Sequence, residues 1–111
     1  MKEFQFEATV QNLEEFIKLR DIKIPKLYET EKQEDSIVHI KLFTPDSNWS
    51  WFITEFDQED TFFGLVDGFE KELGYFSFSE LKSVRGHLGL CVEIDLHFSP
   101  QPISKIQKGG E

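Results

Sequence analysis

The sequence predicts an α+β protein: a small, mostly antiparallel sheet of about five strands, with an N-terminal helix and one short helix before the last strand. Three observations predict it. Apolar residues between Asn12 and Ile24 recur at helical spacing. Five later segments rich in β-branched and aromatic residues are separated by mostly short connections, which favour antiparallel neighbours because parallel pairing needs long crossovers. A capping-box pattern precedes the last of those segments.

Taken in order, Met1 to Val10 alternates in Phe4-Gln5-Phe6-Glu7, the pattern of a short strand or a flexible lead-in. In the first helix Leu13, Phe16, Ile17 and Arg20 fall on one side, and Glu14, Glu15 and Lys18 on the other. Asn12 suits its N-cap, the two glutamates suit its first turn, and Pro25 closes it. Tyr28 to Ser36 is polar and reads as a loop. Ile37 to Phe43 is a β-branched run, and Thr44-Pro45-Asp46-Ser47-Asn48 is a turn in which proline fixes φ. Trp49 to Phe56 is the strongest strand, with Trp49, Trp51 and Ile53 on one face and Phe52 and Phe56 on the other. The acidic connection Asp57-Gln58-Glu59-Asp60 leads into Thr61 to Gly68, where Gly64 suggests a bulge or room for a facing Trp. Gly74 to Phe78 is a further strand. Ser77 and Glu80 then start a helix that Gly86 stops. Glu93 to Phe98 alternates as a last strand, ended by Pro100 and Pro102.

The chain's 111 residues make one domain, with residues 1–11 and 104–111 expected to be flexible. Twelve Phe, two Trp and two Tyr supply large side chains to bury, so a disordered chain is excluded. No apolar run approaches the roughly 18 residues of a membrane helix. Met1-Lys2-Glu3-Phe4 has no apolar h-region, and the lone Cys91 cannot form an internal disulfide, so the expected compartment is the cytoplasm. Net charge is −9. Tyr28 to Glu70 holds eleven acids against Lys32 and Lys41, so that stretch carries the whole excess. An acidic half disfavours phosphate backbones and anionic lipid and favours a basic protein or a cation.

A long string of residues resembles a known family. Asn48-Trp49-Ser50-Trp51-Phe52 through Glu55, Glu59 through Glu70, Glu72 through Ser77, Ser79-Glu80-Leu81, Ser83-Val84-Arg85-Gly86 and Leu88-Gly89-Leu90 are similar to the bacterial domain of unknown function 2958 family. Pro25-Lys26-Leu27-Tyr28 and Asp95-Leu96-His97-Phe98 resemble its ends, so the likeness spans about Ile24 to Ile106. His87 and Cys91 stand where the family pattern has proline, and Met1 to Lys18 is unlike its usual N-terminus. The resemblance carries over no catalytic residue and no cofactor. It implies a small cytosolic protein of mobile elements, encoded near anti-restriction and DNA-transfer genes, and hence an accessory or anti-defence role.

Candidate sites follow from residue chemistry. Trp49, Trp51, Tyr75 and Arg85 are the residue types that anchor protein interfaces, and the same types stack single-stranded bases. The plainer reading of the tryptophans is core. Glu55, Asp57, Glu59, Asp60 and Asp67 could meet a basic partner or a hard cation, against the reading of a solvated hairpin tip. Asp67 with Glu70 has the makings of an acid–base pair but needs a cleft. Glu93, Asp95 and His97 on one strand face, joined by His39 or His87, could hold a transition metal, against the reading of an exposed edge. Cys91 with His87 four residues away could be a nucleophile, against a buried thiol. No phosphate-binding loop, nucleophile elbow or cofactor motif is present. These readings converge on a non-catalytic binder of a basic protein partner. A single-stranded nucleic-acid binder and a small metal-dependent enzyme are the alternatives.

Overall fold

The structure, a computed structural model, describes residues 7–29 and 35–108. The Phe4–Phe6 alternation and the acidic residues Glu31 and Glu34 lie outside them. Five antiparallel strands form the main sheet in the order β5-β4-β3-β2-β6: β2 Ile40–Phe43, β3 Ser50–Phe56, β4 Thr61–Asp67, β5 Lys71–Ser77 and β6 Glu93–Ile94. A two-residue β1, Ile37–Val38, pairs with β7, Gln101–Pro102. Helices α1 (Leu13–Arg20), α2 (Phe78–Ser83) and α3 (Ile103–Gln107) complete the α+β fold.

The helix at the start is shorter than its periodicity predicts. Asp21 adopts a left-handed conformation (φ 51°), and its N–H and that of Ile22 return to Lys18 and Ile17. That closes α1 four residues before Pro25. Asn12 does not cap it; its amide donates to Glu7 O instead. Ala8–Val10 is not a loose lead-in, because Ala8 O and Val10 N bond to Ile94 N and Val92 O alongside β6.

Both faces of the sheet are used. Trp51, Ile53, Phe56 and Phe62 share one face with Ile40, Leu42 and Ile94, and α1 and α2 bury that face with Leu13, Phe16, Phe78 and Leu81. Phe52 and Leu65 look the other way and are covered by Val38, Ile103 and Ile106. Phe56 was expected beside Phe52; a register break at Thr54, between the pairs Ile53↔Gly64 and Glu55↔Phe63, moves it across. The bulge therefore sits on β3, opposite Gly64 rather than at it. Gly64 is required because a Cβ there would collide with Phe52 O.

Three other expectations change. The single strand over 37–43 is broken at His39, whose N–H bonds back to Ile53 O while β1 turns to β7. Glu93 to Phe98 is a strand only at Glu93–Ile94, after which the chain turns. The tail expected to be flexible from Ser104 is helical over Ile103–Gln107, because Ile103 and Ile106, three apart, bury against Phe52 and Leu65. Asp35 accepts from Ser104 N and Oγ and so ties this helix's first turn to the sheet.

The β4–β5 hairpin and α2 match the expected order. Ser77 Oγ accepts from Glu80 N at 3.2 Å, the forward half of the capping box. α2 stops at Ser83, before Gly86. Among the described residues no helix is long and apolar enough to cross a membrane.

An aromatic pocket as the candidate functional site

The turn before β3 delivers Trp49. Thr44 N donates to Trp49 O and Thr44 Oγ1 accepts from Trp49 N, each at 3.0 Å, so the loop closes on the indole. Trp49 stacks on the buried Trp51 with centroids 6.0 Å apart and planes 29° apart. Gly68 makes room for it, since a Cβ at 68 would strike the ring. One residue on, Phe69 is 94% exposed and meets Trp49 edge-on at 5.4 Å. An aromatic braced against another aromatic while facing water gives up little side-chain freedom when a partner covers it.

The other wall comes from the end of α2. Val84, Arg85 and Gly86 face Trp49 and Trp51 across a pocket of about 290 Å³, with Thr44 and Ser47 at its edge. Arg85 Nη1 donates to Lys82 O and Val84 O, both at 2.8 Å, so the guanidinium is held at the helix C-terminus. Asp46 secures the rim. Its Oδ2 accepts from Leu88 N at 2.6 Å and Leu90 N at 3.3 Å, and Gly86 leaves space for the carboxylate. Burial pushes the Asp46 carboxyl upward, but the backbone donors outweigh it and hold the group below its ordinary value. The loop so fixed exposes Leu88 and Leu90 beside the pocket.

Of the four aromatic and arginine candidates, Trp49, Trp51 and Arg85 come together and Tyr75 does not. Tyr75 lies on the opposite sheet face, packed on Phe63 at 4.9 Å and Tyr28 at 6.3 Å. The acidic candidates disperse as well. Glu55 is buried and its Oε1 accepts from Tyr28 N. Asp57 Oδ1 accepts from the N–H groups of Glu59, Asp60 and Thr61 at 2.8–3.0 Å, and the Thr61 and Glu59 bonds hold its carboxyl below the usual value. Asp60 accepts from Ser77 Oγ, Ser79 N and Ser79 Oγ, which likewise lowers it, Ser77 contributing most. Glu59 is exposed, and Asp67 sits at the end of β4 opposite Ser50 and Lys71. This hairpin tip is hydrogen-bonded internally, and Glu55 points away from it.

Glu93, Asp95 and His97 do not share one strand face. His97 lies in the turn after β6, where its N–H donates to Asp95 Oδ1. All three line a shallow pocket of about 330 Å³ with Lys41, whose ammonium is 3.9 Å from Asp95 Oδ2. A fixed cation thus already stands at the carboxylate a metal would need. Burial lowers the Lys41 pKa, with Asp95 and Asp67 opposing. His39 is half-buried, which lowers its pKa, and His87 is in an exposed turn. Cys91, partly buried, bridges Arg85 through the backbone. Among the described residues no three His, Cys, Asp or Glu side chains are grouped to hold a metal.

Sequence reasoning missed Phe69, Leu88, Leu90 and the role of Asp46. Phe69 carried a signal: an apolar residue inside the turn Asp67-Gly68-Phe69-Glu70 has no strand face on which to bury. The pairing of Asp46 with residues 42 and 44 positions later has no local signature.

Fold and surface define a small α+β protein with an open aromatic pocket at one end of an antiparallel sheet. The chain belongs to the family described as "Protein of unknown function (DUF2958)", whose model matches residues 10–108. The match begins at Val10, so α1 is part of the family region and not the unrelated lead that its first residues suggest. No curated protein and no solved structure matches the chain.

Proposed function

We propose that this protein is a non-catalytic binding protein that engages the basic surface of another protein through the Trp49–Phe69 end of its sheet. The observation that carries this reading is Phe69, 94% exposed and braced on the pocket residue Trp49, with Leu88 and Leu90 exposed on the loop that follows the pocket residue Gly86. Aromatic anchors surrounded by apolar rim residues are where interface energy concentrates. Glu70 and Glu72 are exposed beside Phe69, and with the chain's charge of −9 they select a basic partner and speed its approach. The accessory or anti-defence role on a mobile element, in the cytoplasm, that the family resemblance implies belongs to this proposal.

The test is capture from a nuclease-treated lysate at low salt, with the wild-type chain and the double variant W49A/F69A as parallel baits. A protein retained by the wild type, released by salt and lost by the variant is the expected result. Truncating two anchors should weaken binding by about 2 kcal/mol or more, roughly 30-fold. Equal capture by both baits would refute the assignment of the surface.

A second reading rests on one observation, that Trp49 and Arg85 line the same pocket. A stacking platform for single-stranded nucleic acid uses that pairing. Tryptophan fluorescence should then quench with added oligonucleotide, and the affinity should fall with salt. A flat titration at low salt removes this reading.

A further inference from the structure

We propose that the chain forms a symmetric dimer by pairing β5 of one copy with β5 of a second across the open edge of the sheet. The proposal adds a surface to the reading above and does not depend on it. In the order β5-β4-β3-β2-β6, strand β5 is terminal, and among the described residues no strand pairs with its outer side. An edge strand leaves a row of backbone donors and acceptors facing outward, and soluble proteins blunt such rows with proline, bulges or shortness. β5 has none of these. It is seven residues long, lacks proline, and pairs with β4 without a register break. Its charges, Lys71 and Glu72, sit at one end, and the Lys71 ammonium is directed to Ile106 O. Leu73 and Tyr75 share one sheet face and are 52% and 54% exposed.

The second copy is the occupant because the strand is complementary to itself. Two antiparallel edges related by a two-fold axis stay face-matched only when the axis passes through a residue. Full overlap of Lys71–Ser77 requires that residue to be Gly74, the midpoint of the strand. In that register Leu73 lies opposite Tyr75 of the second copy, twice, on the already apolar face. Glu72 lies opposite Phe76 and Lys71 opposite Ser77, so no like charges are directly opposed. Moving the axis to Glu72 would oppose two carboxylates and shorten the overlap. Gly74 itself has open space where a Cβ would be, so among the described residues nothing obstructs the axis.

Sedimentation of the full chain across micromolar concentrations tests this. The expected mass is two chains. The dimer should tighten as salt rises from about 20 to 200 mM, because each copy carries −9 and screening removes their repulsion. Binding of a basic partner would weaken over the same range, so the two proposals can fail separately. L73K/Y75K should sediment as one chain with its circular dichroism unchanged. As an independent check, G74C in a C91S background should cross-link to itself under mild oxidation. Residues directly opposite in an antiparallel pair are about 4.5–5.5 Å apart at Cα, within disulfide reach. A single-chain mass at every concentration and salt, a dimer that survives L73K/Y75K, or a G74C dimer that does not cross-link would each overturn the proposal.

Discussion

Gly64 and Gly74 face each other on β4 and β5, yet replacing them should have unlike effects. A methyl at 64 would run into Phe52 O, a backbone atom fixed in the central strand, whereas among the described residues nothing lies within 4 Å of the same point at 74. G64A should therefore cost about 1–3 kcal/mol through forced displacement of β3. G74A should leave stability within about 0.5 kcal/mol of wild type, or raise it slightly by restricting the unfolded chain. Urea titration of both variants checks this, and equal midpoints would refute the close approach. The aspartates at the turns act through their ionised form. Asp57 is held below its ordinary pKa first by the Thr61 and Glu59 N–H groups, and Asp60 first by Ser77. A depressed folded-state pKa means that the unfolded chain binds more protons, so the stability these groups add is present above the unfolded value near 3.8 and is lost as pH falls through the folded one. Melting temperature should decline gently below pH 6.5, where the unfolded chain protonates His39 before the folded one does, and fall more steeply below about pH 5 as the aspartates protonate. D57A should flatten that fall; an unchanged acid limb would show that the Asp57 cap is not linked to folding.

Among the elements, those set by local chemistry were legible. The 13, 16, 17 and 20 spacing announces α1, the Ser77–Glu80 pair announces α2, and the polar turns at 44–48 and 57–60 announce antiparallel neighbours. What the sequence hides is settled by contacts distant along the chain. β3 is apolar on both sides, so its pattern does not reveal that the bulge at Thr54 switches Phe56 from one face to the other. α3 is five residues long and owes its existence to the sheet beneath it, not to helix propensity. The pocket was legible as residue types and not as a place: Trp49, Trp51 and Arg85 meet, while Tyr75 is carried to the opposite face by strand alternation. The tertiary origin of α3 makes a prediction. Ile106 is 2% exposed against Val38, Phe52 and Leu65, so I106A should cost about 2–5 kcal/mol. The exposed Gln107 on the same helix should tolerate alanine within about 0.5 kcal/mol. Loss of equal size at both positions would mean that helix formation, and not burial of the second sheet face, is what α3 contributes.

For the molecule as a whole, net charge overstates what a partner can meet. Asp35 ties down α3, Asp46 holds the pocket rim, Asp57 and Asp60 organise the hairpin tip, and Glu55 is buried under Tyr28. The acids left to face solvent near the exposed aromatic are Glu70 and Glu72, with Glu72 on the same sheet face as Trp51 and Val66. Reversing both to lysine should leave folding within about 0.5 kcal/mol, since neither fills a core position. The change moves the net charge from −9 by four units to −5. Attraction to a basic protein should drop, together with its salt dependence, while repulsion between two copies of β5 should also drop. E70K/E72K should thus bind a basic partner more weakly and self-associate more strongly than wild type. Measuring both by sedimentation at low salt separates a surface that acts through charge from one that acts through shape. If neither quantity moves, the acidic edge is there for solubility, and recognition rests on Trp49 and Phe69 alone.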